Sequence, residues 1–331
     1  MVLAPDNAPE LRASYEALDP REALGADVLA AVVFGSETPC PPDPRCLRIG
    51  LEPVLGAGLV EVWRGSGDAR VGTMGPIRYV EDGKHFAGWI DLDESRFESL
   101  VEAAEAAYLG LLSFHASSPY RHVWRLWNFI TDINDGPGDT ERYKLFCLGR
   151  ARAFAAAHAK WLGIGYPAAS AVGKVGGART LQVCWFAGRE PGLAVENPRQ
   201  VSAYHYPRRY GPAAPSFSRA IVAPGPLLLV SGTASIVGHA SMHRGDTLAQ
   251  LRETLANLDM LLQRAHASGA LLSARFEAAS LLKVYLRHGG DAAIVDRCLR
   301  EHFGDEVAVL AVVADICRAD LSIEIEAVHP G

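Results

Sequence analysis

The stretch GPLLLVSGTASIVG (225–238) is an apolar run broken at Gly232, and DTLAQLRETLANLDMLLQRAHASG (246–269) follows it closely. The first reads as a buried strand. The second reads as a helix: Asp246 stands in a capping position, Leu248, Leu251, Leu255, Leu258 and Leu262 recur at helical spacing, and a glycine closes it. Working outward, SLLKVYLRH (280–288) reads as a strand and DAAIVDRCLREHFG (291–304) as a short helix opened by Asp and closed by Gly. VAVLAVVAD (307–315) and DLSIEIEAV (320–328) finish as two further strands. The order β–α–β–α–β–β predicts an α/β (α+β) fold with a mixed sheet backed by helices.

The same order stands earlier in the chain. ESRFESLVEAAEAAYLGLLSFH (94–115) reads as a helix, RHVWRLWNFI (121–130) as a strand and residues 141–161 as a second helix, so helix, strand and helix recur after about 155–160 residues. That recurrence predicts an internal duplication. GYPAASAVGKVGGART (165–180) reads as glycine-rich loops between the halves, and ENPRQVSAYHYPRRYGPAAPSFSRA (196–220) as an irregular Pro-rich crossover of the kind that carries sites. The expected division is a domain over 1–195 and a second over 196–331.

With 331 residues, 49% hydrophobic and 21% charged, the chain can bury a large core. Its net charge of −6 gives no global field for nucleic acid or anionic lipid, so anion binding has to be local and built from individual arginines. No apolar run reaches membrane-spanning length and the start lacks a signal-peptide pattern, which predicts a cytoplasmic protein. The six cysteines, at 40, 46, 147, 184, 298 and 317, form no CxxC pair and read as reduced thiols. The glycine-rich stretches match neither phosphate-loop pattern, SGTAS is not a GxSxG elbow, and the histidines lack metal-ligand spacing. No metal and no cofactor are expected.

Three clusters carry possible chemistry. In ERYKLFCLGRARAF (141–154), Tyr143, Cys147, Arg150 and Phe154, with Trp161 beyond, share one helical stripe, while Arg142 and Arg152 lie off it. Arg150 therefore faces the core and needs an anion, either a protein carboxylate or a ligand; spacing leaves both open. YHYPRRYG supplies Tyr204, Tyr206, Arg208, Arg209 and Tyr210, either a solvated loop or a carboxylate clamp. In DLSIEIEAV, Glu324 and Glu326 alternate with Ile323 and Ile325, so they are either a solvated face or acids with raised pKa on a buried strand. Cys317 is either a packing thiol or part of a site lining.

SGTASIVG, ETLANLDMLL, SLLKVYLRH and LSIEIEAV resemble the YjgF-like reactive-intermediate deaminases. The resemblance implies trimer-like packing of such units with ligand clefts between them. Those deaminases carry a carboxylate-binding arginine about fifteen residues before the glutamate, where this chain has Val309, so imine deamination is not the expected reaction. HVWRLWNFITDIN, GDTERYKLFCLGRARAF, GYPAASAVG, YHYPRRYGP and SGTASIVGH together look like the chorismatase family over residues 120–328. That resemblance implies two YjgF-like units in one chain, arranged as a pseudo-trimer around one cleft, with less need of a partner subunit. It implies an enzyme that cleaves the enol ether of chorismate and releases pyruvate. Glu324 matches the general acid, while Arg150 and Arg209, with Tyr143 and Tyr206, match positions that hold the substrate's two carboxylates. Cys317, seven residues before Glu324, matches the aromatising members that give 3-hydroxybenzoate rather than the dihydrodiol, and Gly232 or Ala234 shapes the same wall. A hydrolase giving the dihydrodiol, a relative that also gives 4-hydroxybenzoate, and a non-catalytic binding protein are the alternatives. The chain is expected to act as a monomer.

Overall fold

A computed structural model describes residues 10–157 and 165–331. Its strands are β1 (Arg12–Glu16), β2 (Val28–Phe34), β3 (Cys46–Ile49), β4 (Pro53–Leu55), β5 (Val60–Arg64), β6 (Arg70–Met74), β7 (Ile77–Glu81) and β8 (His85–Asp93), before the first helix α1 (Leu100–Ser117). Then come β9 (His122–Ile130), α2 (Arg142–Ala156), β10 (Ala168–Gly173), β11 (Thr180–Gly188), β12 (Leu193–Val195) and β13 (Ala220–Ala223). The chain ends with β14 (Leu227–Ala234), the small hairpin β15 (Ile236–Val237) and β16 (Ala240–Ser241), α3 (Thr247–Ala267), β17 (Leu281–Leu286), α4 (Ala292–Phe303), β18 (Ala308–Val313), β19 (Asp315–Ile316) and β20 (Ile323–Pro330).

The duplication is complete at the level of topology. One seven-stranded sheet runs β6-β7-β8-β11-β9-β10-β19 and the other β12-β13-β14-β20-β17-β18-β4, so each strand of one has a counterpart at the same place in the other. In each, two helices cover one face, α1 after β8 and α2 after β9 in the first, α3 after β14 and α4 after β17 in the second: Tyr108, Leu111 and Phe146 pack on Ile90, Leu126 and Trp185, and Leu251, Leu258 and Val295 on Val230, Leu282 and Val284. The opposite faces of both sheets share one core with a third, four-stranded sheet of order β1-β5-β2-β3, through Trp127 and Phe186, Tyr285 and Leu310, and Leu29 and Trp63. Among the described residues this third sheet has no helix of its own, and it completes the pseudo-trimer. Edge strands are exchanged: β4 pairs with β18, and β19 with β10, so both large sheets are completed from outside their own half.

Capping explains the helix boundaries. The Asp246 carboxylate accepts the amide of Ala249 at 2.9 Å, opening α3 where the sequence predicts. The helix expected at 94 begins only at Leu100, capped by Ser99. Glu94 instead folds inward and pairs with Arg142 at 2.6 Å, both side chains about 7% exposed, so Arg142 is also buried although it lies off the predicted stripe. Trp161 lies outside the described residues.

Two expectations fail. Residues 168–173 are not loop but strand β10, lying where the two large sheets meet. Its small side chains are needed there: a Cβ at Gly173 would stand 2.5 Å from the carbonyl oxygen of Ile130. Cys40 and Cys46 are not free thiols but a disulfide, their Cα atoms 6.1 Å apart as the chain turns into β3. The spacing CPPDPRC holds no clue to this, because the turn brings the two ends within bridging distance only once Cys46 joins the sheet. The remaining cysteines among the described residues are free. No helix among the described residues is long and apolar enough to cross a membrane.

Candidate active site

Strand alternation turns Glu324 and Glu326 to the same face of β20, toward the shared core, and the residues flanking them set opposite charge states. Glu326 is fully engaged. It accepts from Arg125 at 2.5 Å, from the Ser170 hydroxyl at 2.6 Å and from the Trp127 indole at 2.7 Å, and the Lys283 ammonium stands 2.9 Å away. Burial alone would raise its pKa, but Lys283 and Arg125 bring it down to about 2. Lys283 also reaches Glu61 on β5 at 2.7 Å, tying the four-stranded sheet into the same ionic cluster.

Glu324 has none of these partners. It is 4% exposed, and its Oε1 has no hydrogen-bond partner. Burial pushes its pKa up to about 8, and the neighbouring Glu326 charge adds to the rise, against smaller pulls from Arg125 and Arg219. At neutral pH one carboxyl of the pair is therefore ionised and the other protonated, the arrangement that divides acid from spectator.

The bulge in β14 between Val230 and Thr233 makes room for this acid. Gly232 stands beside it: a Cβ there would collide with Glu324 Oε1, and the Gly232 amide donates to the Ser170 hydroxyl at 2.9 Å. Gly232→Ala must push the Glu324 carboxyl out of its place. Turnover of the native substrate is expected to fall at least about tenfold with a smaller change in KM, because proton transfer needs heavy-atom contact of about 3 Å. Steady-state kinetics checks this, and unchanged kcat would contradict the close fit.

Glu324 opens into a cleft of about 330 Å³ between the start of α2, the crossover after β12, β14 and the turn after β19. Tyr143, Tyr206, Arg209, Gly232, Ala234 and Cys317 line it together with Glu324. Arg150 does not. It sits 2% exposed between α1 and α2, its guanidinium 5.0 Å from the Phe146 ring and 5.8 Å from the Tyr108 ring, with no carboxylate partner among the described residues. On α2 it approaches the Cys147 sulfur at 4.0 Å.

The cleft has instead two arginines that sequence reasoning missed. Arg219, 3% exposed, donates to the Val201 carbonyl at 2.9 Å and the Tyr206 hydroxyl at 2.8 Å, and its Nε has no partner. Arg318 donates to the His239 carbonyl at 2.9 Å and stacks over the Tyr210 ring at 4.1 Å. Arg209 donates to His239 Nδ1 at 2.9 Å. Neither Arg219 in SFSRAIVA nor Arg318 in ICRAD has a periodic context to mark it. Cys317 is an un-ionised wall: burial raises its thiol pKa far above the ordinary value, and Glu324 adds to the rise. A compartment with three guanidinium groups and a protonated carboxyl suits a small anion whose reaction begins with proton uptake.

Residues 61–187 match the model of the chorismatase FkbO/Hyg5-like N-terminal domain. A 3-hydroxybenzoate synthase of Streptomyces hygroscopicus is 36% identical over 296 residues, covering 85% of this chain and 84% of the relative. The chain belongs to the chorismatase family. A chorismatase of Streptomyces rapamycinicus is 33% identical over 81% of each chain. The crystal structure of a chorismatase superimposes with a TM-score of 0.84 at 26% identity, covering 97% of this chain and 98% of that one. The superposition takes in the third sheet as well, although the resemblance legible in the sequence began only at residue 120.

Proposed function

We propose that this chain converts chorismate to 3-hydroxybenzoate and pyruvate, with Glu324 as the general acid. The observation that carries the reading is a buried carboxyl, protonated at neutral pH, facing a cleft walled by Arg209, Arg219 and Arg318. Chorismate is a dianion, so two separated cationic contacts would hold its ring and enolpyruvyl carboxylates. Glu324 would deliver its proton to the enol-ether methylene, making an oxocarbenium-like centre. The neighbouring ring hydroxyl would then displace the pyruvyl oxygen and close a three-membered ring; cleavage of that oxygen's original C–O bond, with loss of a ring proton, would give the aromatic acid. No water is consumed, and the proton lost from the ring balances the one given to the methylene.

Tyr143 and Tyr206 would orient the substrate through their hydroxyls, with Tyr206 already accepting from Arg219. Arg150 would act from behind, since it stands on the same helix as Tyr143 and is not a cleft wall. The similarity to a relative named 3-hydroxybenzoate synthase supports the aromatising branch over hydrolysis to the dihydrodiol. A compact, un-ionised thiol at Cys317 fits that branch, because it offers water only a weak partner. Cys317→Ala is accordingly expected to raise the dihydrodiol share of the product, measured by chromatography; an unchanged ratio would remove the thiol from the branching step. Because one chain already supplies three sheets around the common core, we take the monomer as the working unit. Incubation with chorismate, with pyruvate followed by a coupled reductase assay and the aromatic product by chromatography, tests the function. Equal amounts of pyruvate and 3-hydroxybenzoate are expected, and no pyruvate above background would contradict it.

A further inference from the structure

The duplicated sheets assign every position in the catalytic half a twin. β10 and β18 are both six-residue strands, β10 parallel to β9 and β18 parallel to β17, and they align Val172 with Val312. Their partners Phe129 and Tyr285 then correspond, as do the next partners, Gln182 and Glu324. Two residues on, Cys184 stands for Glu326, and Trp127 for Lys283. The first half has thus kept the frame and lost the charges: where the second half holds an acid and its ionic support, the first holds an amide, a thiol and an indole.

The frame still encloses space. Gln182 lines a cleft of about 490 Å³ between the first large sheet and the four-stranded sheet. The floor is apolar, with Ile49, Leu51, Phe129 and Leu181, and Thr180 and Thr131 add hydroxyls. Two cations stand on it, Arg48 and Lys174, and neither has an ion-pair partner among the described residues. The Lys174 stem runs beside Gly50, where a Cβ would lie 3.7 Å from Lys174 Cδ, so the side chain bridges the two sheets. Two aspartates share the lining and are already engaged: Asp91 pairs with Arg78, and Asp93 accepts the Ser95 amide at 3.0 Å.

We infer that this twin cleft is a binding site for a small aromatic monocarboxylate, which it holds without turning over. The apolar floor takes the ring, the free cations take the carboxylate, and Gln182, whose amide also donates to the Arg48 carbonyl at 3.4 Å, stands where the catalytic half would offer a proton. Phosphate and other wholly polar anions fit less well, since they would leave the half-buried Phe129 ring in water. Such an acid is also the chemical class of the proposed product, so the twin site would sense accumulation of product while the catalytic cleft works. The binding claim itself rests on sheet register and lining and not on turnover.

Calorimetric titration of the full chain with benzoate tests it. Arg48→Ala with Lys174→Ala should weaken one benzoate site at least tenfold, and Lys174→Arg alone should preserve it. Gln182→Glu, which copies the catalytic half, should weaken the same site as pH rises through the new carboxyl's titration. Arg219→Ala, on the far cleft, should leave it unchanged. Benzoate binding that is absent, or that falls with Arg219→Ala and ignores Arg48 and Lys174, would overturn the inference. Pyruvate release from chorismate is measured separately, so a chain that binds benzoate here and makes no pyruvate would sink the proposed function alone.

Discussion

Glu324→Gln should lower the rate of pyruvate release from chorismate by about 10²–10⁴-fold, the range set by losing a positioned proton donor. The side chains have the same shape, Glu324 Oε1 has no hydrogen bond to lose, and the Glu326 cluster behind it keeps all of its partners. Binding of a chorismate-like dianion should therefore survive, so the loss falls on kcat. The native enzyme should lose activity as pH rises through about 8, where the acid gives up its proton. Linkage adds a second readout. A carboxyl whose folded pKa is raised keeps a proton that the unfolded chain releases, so it progressively lowers stability as pH rises from the ordinary carboxylate range to about 8. Glu324→Gln removes that penalty and should be more stable relative to the native chain at pH 8 than at pH 5. Full activity in the variant would remove Glu324 from the chemistry.

Lys283→Met should be the most damaging change outside the cleft. Lys283 is 5% exposed and stands within 2.9 Å of both Glu61 and Glu326, which are 4% and 5% exposed. Its removal leaves two buried carboxylates short of a cation, and breaking such a pair costs about 3–5 kcal/mol. Denaturant unfolding should show that loss at pH 7. The sign with pH is fixed: without Lys283 the Glu326 carboxyl holds a proton more readily, so the deficit should shrink as pH falls toward 5. A stability loss below about 1 kcal/mol would mean that the cluster is not an ionic one.

How much of this was legible from the sequence depends on the kind of signal. The capped helices, α3 above all, and the alternation of β20 put the catalytic-half elements where they were expected, and the recurrence of helix, strand and helix pointed to the duplication. β10 was not legible because a strand buried on both sides between two sheets shows neither alternation nor bulk, only small residues that look like loop. The third sheet was hidden too, because no helix follows its strands to mark a repeat. In the site, a helical stripe told that Arg150 points inward but not into which interior. Tyr143 is at the start of α2 and reaches the cleft; Arg150, seven residues and about 10 Å further along the axis, meets Tyr108 of α1 instead. Arg219 and Arg318 come from irregular segments, where no periodicity says which side chains converge.

The central claim is that Glu324 is a neutral acid at the pH where the enzyme works. Carbon-13 NMR of glutamate-labelled protein, with the Glu324 carboxyl assigned by the signal missing in Glu324→Gln, measures it directly. The account predicts a single titration near pH 8 for that resonance, with Glu326 ionised throughout. A Glu324 carboxyl that titrates near pH 4, already charged at neutrality, would contradict it.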